Sequence, residues 1–194
     1  PPRPVLSMAV DPQTPATLYA GMERPGRGGV FKSTNGGASW LPADNGLTGV
    51  GISSLAIDSQ NANTFYAGAF SGAVFKTTNG GGGWSSSEDD FLNVSSLAID
   101  PAIPSTLYAG QNCGGVSRST NGGVSWTAIN NGLTAGCVLS LAIDPVMPST
   151  LYAAGYIWTG DGGIFAPRVS KSADGGSSWT DASSGLPGPG IEEE

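Results

Sequence analysis

The side chains able to do chemistry are few and of restricted kinds. The 194 residues include 15 Asp and Glu, 8 Lys and Arg, 2 Cys and no histidine. Without imidazole there is no Ser-His-Asp or Cys-His nucleophile, no histidine-ligated zinc and no histidine acid or base. Acid–base work would fall to carboxylates, and those outside recurring positions are Glu23, Glu88, Asp89, Asp90 and Asp161. They show no pairing signature, and a run such as Glu88-Asp89-Asp90 reads as a solvated turn. No catalytic residue is assigned, and no cofactor or metal is expected. The remaining candidates are groups that grip rather than react. Tyr156 and Trp158, with Asp161 and Arg168 nearby, have the makings of an aromatic plate flanked by polar groups, the kind of surface that holds a sugar ring or a partner's side chain. The alternative is that this stretch folds over its own unit and buries Trp158. Arg24 and Arg27 are further ligand-binding candidates, and read equally as solvated loop charges. A formal charge of −7 argues against nucleic acid and anionic membrane as partners. No apolar run approaches the roughly 18 residues of a membrane span.

These residues hang on a fourfold repeat. Ser7-Met8-Ala9-Val10-Asp11 returns as Ser54-Leu55-Ala56-Ile57-Asp58, Ser96-Leu97-Ala98-Ile99-Asp100 and Ser140-Leu141-Ala142-Ile143-Asp144. A second segment follows each (Leu18-Tyr19-Ala20-Gly21 and its counterparts at Phe65, Leu107 and Leu151), and a third begins at Val30, Val74, Val116 and Val169. A fourth begins at Trp40, Trp84, Trp126 and Trp179. The segments are short, rich in β-branched and aromatic residues, and separated by Gly, Pro, Asn and Asp, which predicts strands, here named A to D. Glycine at 31 of 194 and only 12% charged residues argue against a helical bundle. Four strands in a period of about 42–47 residues predict an all-β fold, a β-propeller of four-stranded antiparallel blades. Four blades in this chain are either a closed small propeller or part of a larger one. The expected boundaries are a linker over 1–4, blades over about 5–48, 49–93, 94–136 and 137–187, and an acidic tail over 188–194.

The C–D turn reads Ser33-Thr34-Asn35-Gly36-Gly37-Ala38-Ser39-Trp40 and recurs with Asn79 and Trp84, Asn121 and Trp126, and Asp174 and Trp179. The Asn or Asp side chain accepts from amides of its own turn, the glycines permit positive φ, and the Trp supplies a large apolar face, so these residues are expected to be structural. One carboxylate, Asp174, among three asparagines is a poor hard-cation site. The turn resembles the Asp-box, or bacterial neuraminidase repeat, of sialidase-like propellers, and the resemblance extends over essentially the whole chain. It implies that the boxes lie in the outer hairpins of the blades, away from the central funnel. Sialidases of that kind use three arginines, a tyrosine nucleophile with its glutamate, and a carboxylate acid. Arg3, Arg24, Arg27, Arg118 and Arg168 do not reproduce the set, since none stands in the family's Arg-Ile-Pro motif and Arg118 holds a strand position where other units carry lysine. The related xyloglucanase-like propellers place two carboxylates across a cleft, a pair the loop acids do not announce. A photosystem-assembly-factor-like branch implies an arginine-rich partner surface, which this acidic chain does not supply.

In an antiparallel blade the A–B and C–D connections share one end and the B–C and D–A connections the other. The A–B loops are nearly uniform, whereas the B–C loops vary and the fourth is long, so function is expected at the B–C end. Cys113 and Cys137 both fall there, and either form a disulfide across adjacent blades or remain two free buried thiols. Because the chain opens on Pro1-Pro2-Arg3-Pro4, it is expected to be a processed or excised product. The expected role is a non-catalytic binding or assembly scaffold for a protein or polysaccharide ligand, in a secreted, periplasmic or cell-surface setting. The alternative is part of a glycoside hydrolase, xyloglucanase-like more than sialidase, whose cleft needs residues outside this chain. Association with another copy, or further blades from a longer chain, would complete a ring left open by four blades.

Overall fold

The computed structural model describes residues 4–23, 29–47, 50–87, 93–158 and 165–188, with the Trp158 side chain excepted. Among them every regular element is a strand. Blade 1 holds β1 (Val5–Val10), β2 (Leu18–Met22), β3 (Val30–Ser33) and β4 (Leu41–Pro42). Blade 2 holds β5 (Ile52–Ile57), β6 (Phe65–Ala69), β7 (Val74–Thr77) and β8 (Ser85–Ser86), and blade 3 β9 (Val94–Ile99), β10 (Leu107–Gln111), β11 (Gly115–Ser119) and β12 (Thr127–Ala128). Blade 4 holds β13 (Cys137–Ile143), β14 (Leu151–Trp158), β15 (Phe165–Ser172) and β16 (Thr180–Asp181). Each blade is one sheet in sequence order, antiparallel throughout. The first strands of successive blades pack together, β1 on β5, β5 on β9 and β9 on β13. This is a four-blade propeller arc with its A strands innermost.

The C–D turns form as their composition requires. In blade 1, Asn35 Oδ1 accepts from Ser39 N at 2.9 Å and Ser33 Oγ accepts from Gly37 N at 2.9 Å, with Gly36 and Gly37 at φ 69° and 91°. Asp174 does the same in blade 4 and also takes the Ser178 hydroxyl at 2.6 Å. That hydroxyl, the Ser178 amide and Ser172 pull the Asp174 pKa down to about 2.

One expectation is corrected. The fourth strands do not begin at the tryptophans but after them, and each is two residues long. In blades 2 and 4 the Trp backbone turns instead to the preceding blade: Trp84 N donates to Asn45 O at 3.0 Å and Trp179 N to Asn131 O at 2.9 Å. Their indoles follow, Trp84 Nε1 reaching Ala43 O at 2.8 Å and Trp179 Nε1 reaching Ile129 O at 2.6 Å. The box tryptophan therefore bridges two blades rather than only covering its own hairpin.

Three equivalent joints hold the four blades. In each, a B-strand tyrosine and a C-strand base converge on the carbonyl of the first box glycine in the next blade. Tyr19 and Lys32 reach Gly80 O at 3.4 and 3.3 Å, Tyr66 and Lys76 reach Gly122 O at 3.3 and 3.0 Å, and Tyr108 and Arg118 reach Gly175 O at 3.4 and 3.0 Å. At the inner end, a β-branched residue at the start of the A strand of blades 2, 3 and 4 fills the space above a B-strand glycine of the blade before it. A Cβ on Gly21, Gly68 or Gly110 would lie 2.8, 2.5 or 2.8 Å from Ile52, Val94 or Val138. The exposed amide edge of each A strand is met from the preceding blade, Leu55 N donating to Ser7 Oγ, Leu97 N to Ser54 Oγ and Leu141 N to Ser96 Oγ. Apolar clusters fill the joints, the first running from Tyr19, Val30 and Leu47 to Ile52, Phe65 and Phe75.

Two measurements check this account. Trp179, only 4% exposed, is expected to cost about 3–5 kcal/mol on replacement by alanine, against a much smaller loss for the half-buried Trp40; equal urea midpoint shifts for the two would refute the bridging role. For Asp174, whose pKa lies below the unfolded value of 3.8, the carboxylate's contribution is complete above pH 3.8 and lost as the pH falls to about 2. The stability difference between the protein and Asp174→Asn is thus expected to be constant near neutrality and to shrink between those pH values; a difference flat down to pH 2 would contradict it.

Candidate functional site

The two ends of the blades differ in kind. At the A–B end, Asp11, Asp58, Asp100 and Asp144 each accept from the amides two and three residues on, closing the same turn four times. The Met147 and Val146 amides hold the Asp144 carboxyl below the usual carboxylate range. These carboxylates serve as turn-closing acceptors for their own backbone. Two clefts of about 350 and 340 Å³ also lie at this end, one between Lys76, Ser85 and Gly122 and one between Lys32, Leu41 and Gly80. They sit at successive joints and follow from blade packing.

At the B–C end the fourth blade departs from the others. The described part of the insertion lengthens β14 and β15 to eight residues each, paired out to Trp158 opposite Phe165, while residues 159–164 lie outside the described residues. Period-two alternation then sorts its side chains. Tyr156 faces the same side as Pro167 and the diagonal neighbour Phe165, whose ring it meets edge-on at 4.9 Å. The Tyr156 hydroxyl donates to Asn112 Oδ1 of blade 3 at 3.3 Å, and the Cys113–Cys137 disulfide joins the same two blades beside it. Phe165 is 51% exposed. A tilted aromatic pair is thus presented on a rim stapled across two blades.

Arg168 is not brought to that plate. It pairs with Gly155, on the opposite side of the sheet, where its guanidinium donates to Pro167 O at 3.0 Å. There its charge also helps lower the Asp181 pKa, after the larger effect of hydrogen bonds from Ser183. Asp161, Arg24 and Arg27 lie outside the described residues, as do Glu88, Asp89 and Asp90. Phe165 is the member of the plate that sequence reasoning missed; its only signal was being an aromatic within the insertion. Among the described residues no group of three or more His, Cys, Asp or Glu is placed to hold a metal, and no helix is long and apolar enough to cross a membrane.

No family model matches the chain, and no curated protein does. Solved structures do. An ancestral GH74 enzyme superposes with a TM-score of 0.76 at 26% identity, over 95% of this chain and 26% of its own length. The GH74 xyloglucanase from Xanthomonas campestris superposes at 0.72 and 20% identity, over 95% of this chain and 31% of its own. YCF48 bound to D1 peptide superposes at 0.56 and 14% identity, over 93% and 82%. The chain is a β-propeller related in fold to GH74 enzymes and to YCF48, and it spans about a quarter of the length of the first of them.

The rim staple is testable in isolation. Closing a 24-residue separation, it is expected to contribute about 3 kcal/mol on the loop-entropy estimate, lost on reduction or in a Cys113→Ser, Cys137→Ser variant. Two thiols reacting with a maleimide under denaturing, non-reducing conditions would show that the bond does not form.

Proposed function

We propose that this chain is the binding segment of an extracytoplasmic Asp-box propeller, and that a polysaccharide lies across the Tyr156–Phe165 plate without being cleaved. The observation that carries this reading is the half-exposed Phe165 ring, backed edge-on by Tyr156 and anchored through Asn112 and the disulfide to the neighbouring blade. An aromatic face held rigid beforehand loses little entropy on stacking against the apolar face of a sugar. The amide and hydroxyl groups of Asn112 and Tyr156 lie beside it as hydrogen-bonding partners. The likeness to GH74 enzymes supports a polysaccharide over a peptide, since it carries the higher identity. The interblade disulfide supports an oxidising, extracytoplasmic compartment.

A second reading, part of a glycoside hydrolase, draws on the 26% identity with the ancestral GH74 enzyme. It requires a second carboxylate across a cleft, supplied from outside this chain or by its loop acids.

Both are read by titrating xyloglucan oligosaccharides calorimetrically and assaying turnover of β-glucans and sialosides. Binding without turnover, weakened about fivefold by Phe165→Ala through loss of roughly 1 kcal/mol of aromatic contact, is the expected result. Binding untouched by Phe165→Ala would remove the plate. Turnover abolished by Asp161→Asn or Asp90→Asn would establish the hydrolase instead.

A further inference from the structure

The two terminal blades carry the separated halves of the joint that the inner blades make three times. On blade 1, Val5 and Met8 are 51 and 57% exposed, although their counterparts Ile52, Leu55, Val94 and Leu97 are buried in joints. With Ala20, Met22, Phe31 and Trp40 they line an apolar hollow of about 350 Å³. The first box glycine of that blade, Gly36, has nothing within 4 Å of its Cβ position, where Gly80 and Gly122 meet a tyrosine hydroxyl and a lysine and Gly175 a tyrosine hydroxyl and an arginine. On blade 4 the complement stands ready. Lys171 Nζ lies 5.7 Å from the centre of the Tyr152 ring, the arrangement that Lys32 and Lys76 adopt over Tyr19 and Tyr66. Tyr152 and Leu186 are 38 and 43% exposed, where Tyr19 and Leu47 are buried. The Ala182 carbonyl holds the position from which Ala43 and Ile129 accept an indole N–H.

We propose that these faces meet between two copies of the chain, blade 4 of each clasping blade 1 of the other, to close an eight-blade ring. In that joint Tyr152 and Lys171 donate to Gly36 O and Trp40 Nε1 donates to Ala182 O, while Leu186 and Tyr152 cover the blade 1 hollow. The interface is head-to-tail and so must close to avoid an open polymer. Two copies give eight blades, the upper end of the usual range of about 4–8, and three would exceed it. Within one chain the two faces do not meet: among the described residues β13 does not pack on β1 as the other inner strands pack, and no bond runs from Tyr152 or Lys171 to Gly36. One position departs from the inner joints. Ala154, paired with Ser140 as Gly110 is with Ser96, stands where the other blades have glycine. Its methyl meets the incoming Val5, so this joint is looser at its inner end and is held at the outer one, where the three hydrogen bonds lie.

Light scattering on the 194-residue chain over a concentration series reads the proposal. A mass of twice 19.4 kDa is expected. Lys171→Glu and Met8→Asp, both at solvent-exposed positions, are each expected to yield monomers with unchanged far-UV circular dichroism. Mixing those two variants is expected to restore association, because one intact joint remains available between them. Ala154→Gly is expected to tighten the dimer severalfold. A monomer at the highest concentration overturns the proposal and leaves the two faces to blades carried on a longer chain. A dimer that Lys171→Glu leaves intact overturns the head-to-tail arrangement, and masses growing beyond two copies overturn the closed ring.

Discussion

A single main-chain carbonyl per blade, offered by Gly80, Gly122 or Gly175, receives a phenol and a cation from the blade before it. The rest of the architecture is arranged around this contact. A four-stranded sheet has two faces and cannot bury either one alone, so each blade depends on its neighbours for a core. The clasp fixes how far apart and at what tilt two sheets stand, and the apolar clusters fill the wedge that results. Burial marks two of these phenols: desolvation, then the nearby Asp58, push Tyr66 up to about 12, and burial raises Tyr108 against the opposing pull of Arg118.

Because the clasps, box turns and aspartate-closed A–B loops all occupy one end and the outer edge of the blades, the opposite end carries fewer of these constraints. There the fourth blade extends its central hairpin without disturbing a joint, and there the disulfide and the Tyr156 hydroxyl tie the extension to blade 3. Rigidity at that rim comes from covalent and polar cross-links where the inner blades rely on packing. A ligand surface placed there changes with loop sequence while the scaffold stays constant, the usual division between scaffold and function.

The repeat made the blade count, the strand order and the end-to-end sorting of loops legible, since each rests on period, composition and antiparallel geometry. The Asn or Asp of the box was legible in the same way, as local turn chemistry. What escaped was contact between units. Tyr19, Tyr66, Tyr108 and Tyr152, and the bases at 32, 76, 118 and 171, recur at matched positions. Yet nothing local says that they aim at a backbone atom of the next repeat, and Arg118 looked like an exception when it makes the lysine's contact. The tryptophans were assigned to their own hairpins because the escape of their backbone toward the preceding blade leaves no mark in composition. Arg168 was grouped with Tyr156 by proximity in sequence; the pairing register of an insertion, which decides the side of the sheet, is not written in its residue types.

The receiving half of each joint is a carbonyl in a turn of glycines, and backbone atoms are the same whatever side chains surround them. The flanking box residues differ from joint to joint, Gly82 against Val124 and Ser177, and the joint geometry does not register the change. Blades of this design are therefore interchangeable modules: one can be copied, removed or reordered, and the seam that results presents the same donor pair to the same acceptor. Such a chain can alter its number of blades by whole units without reworking the acceptor at the new boundary, the inner-end position held by Ala154 in blade 4 and by glycine in the other blades being the one that differs.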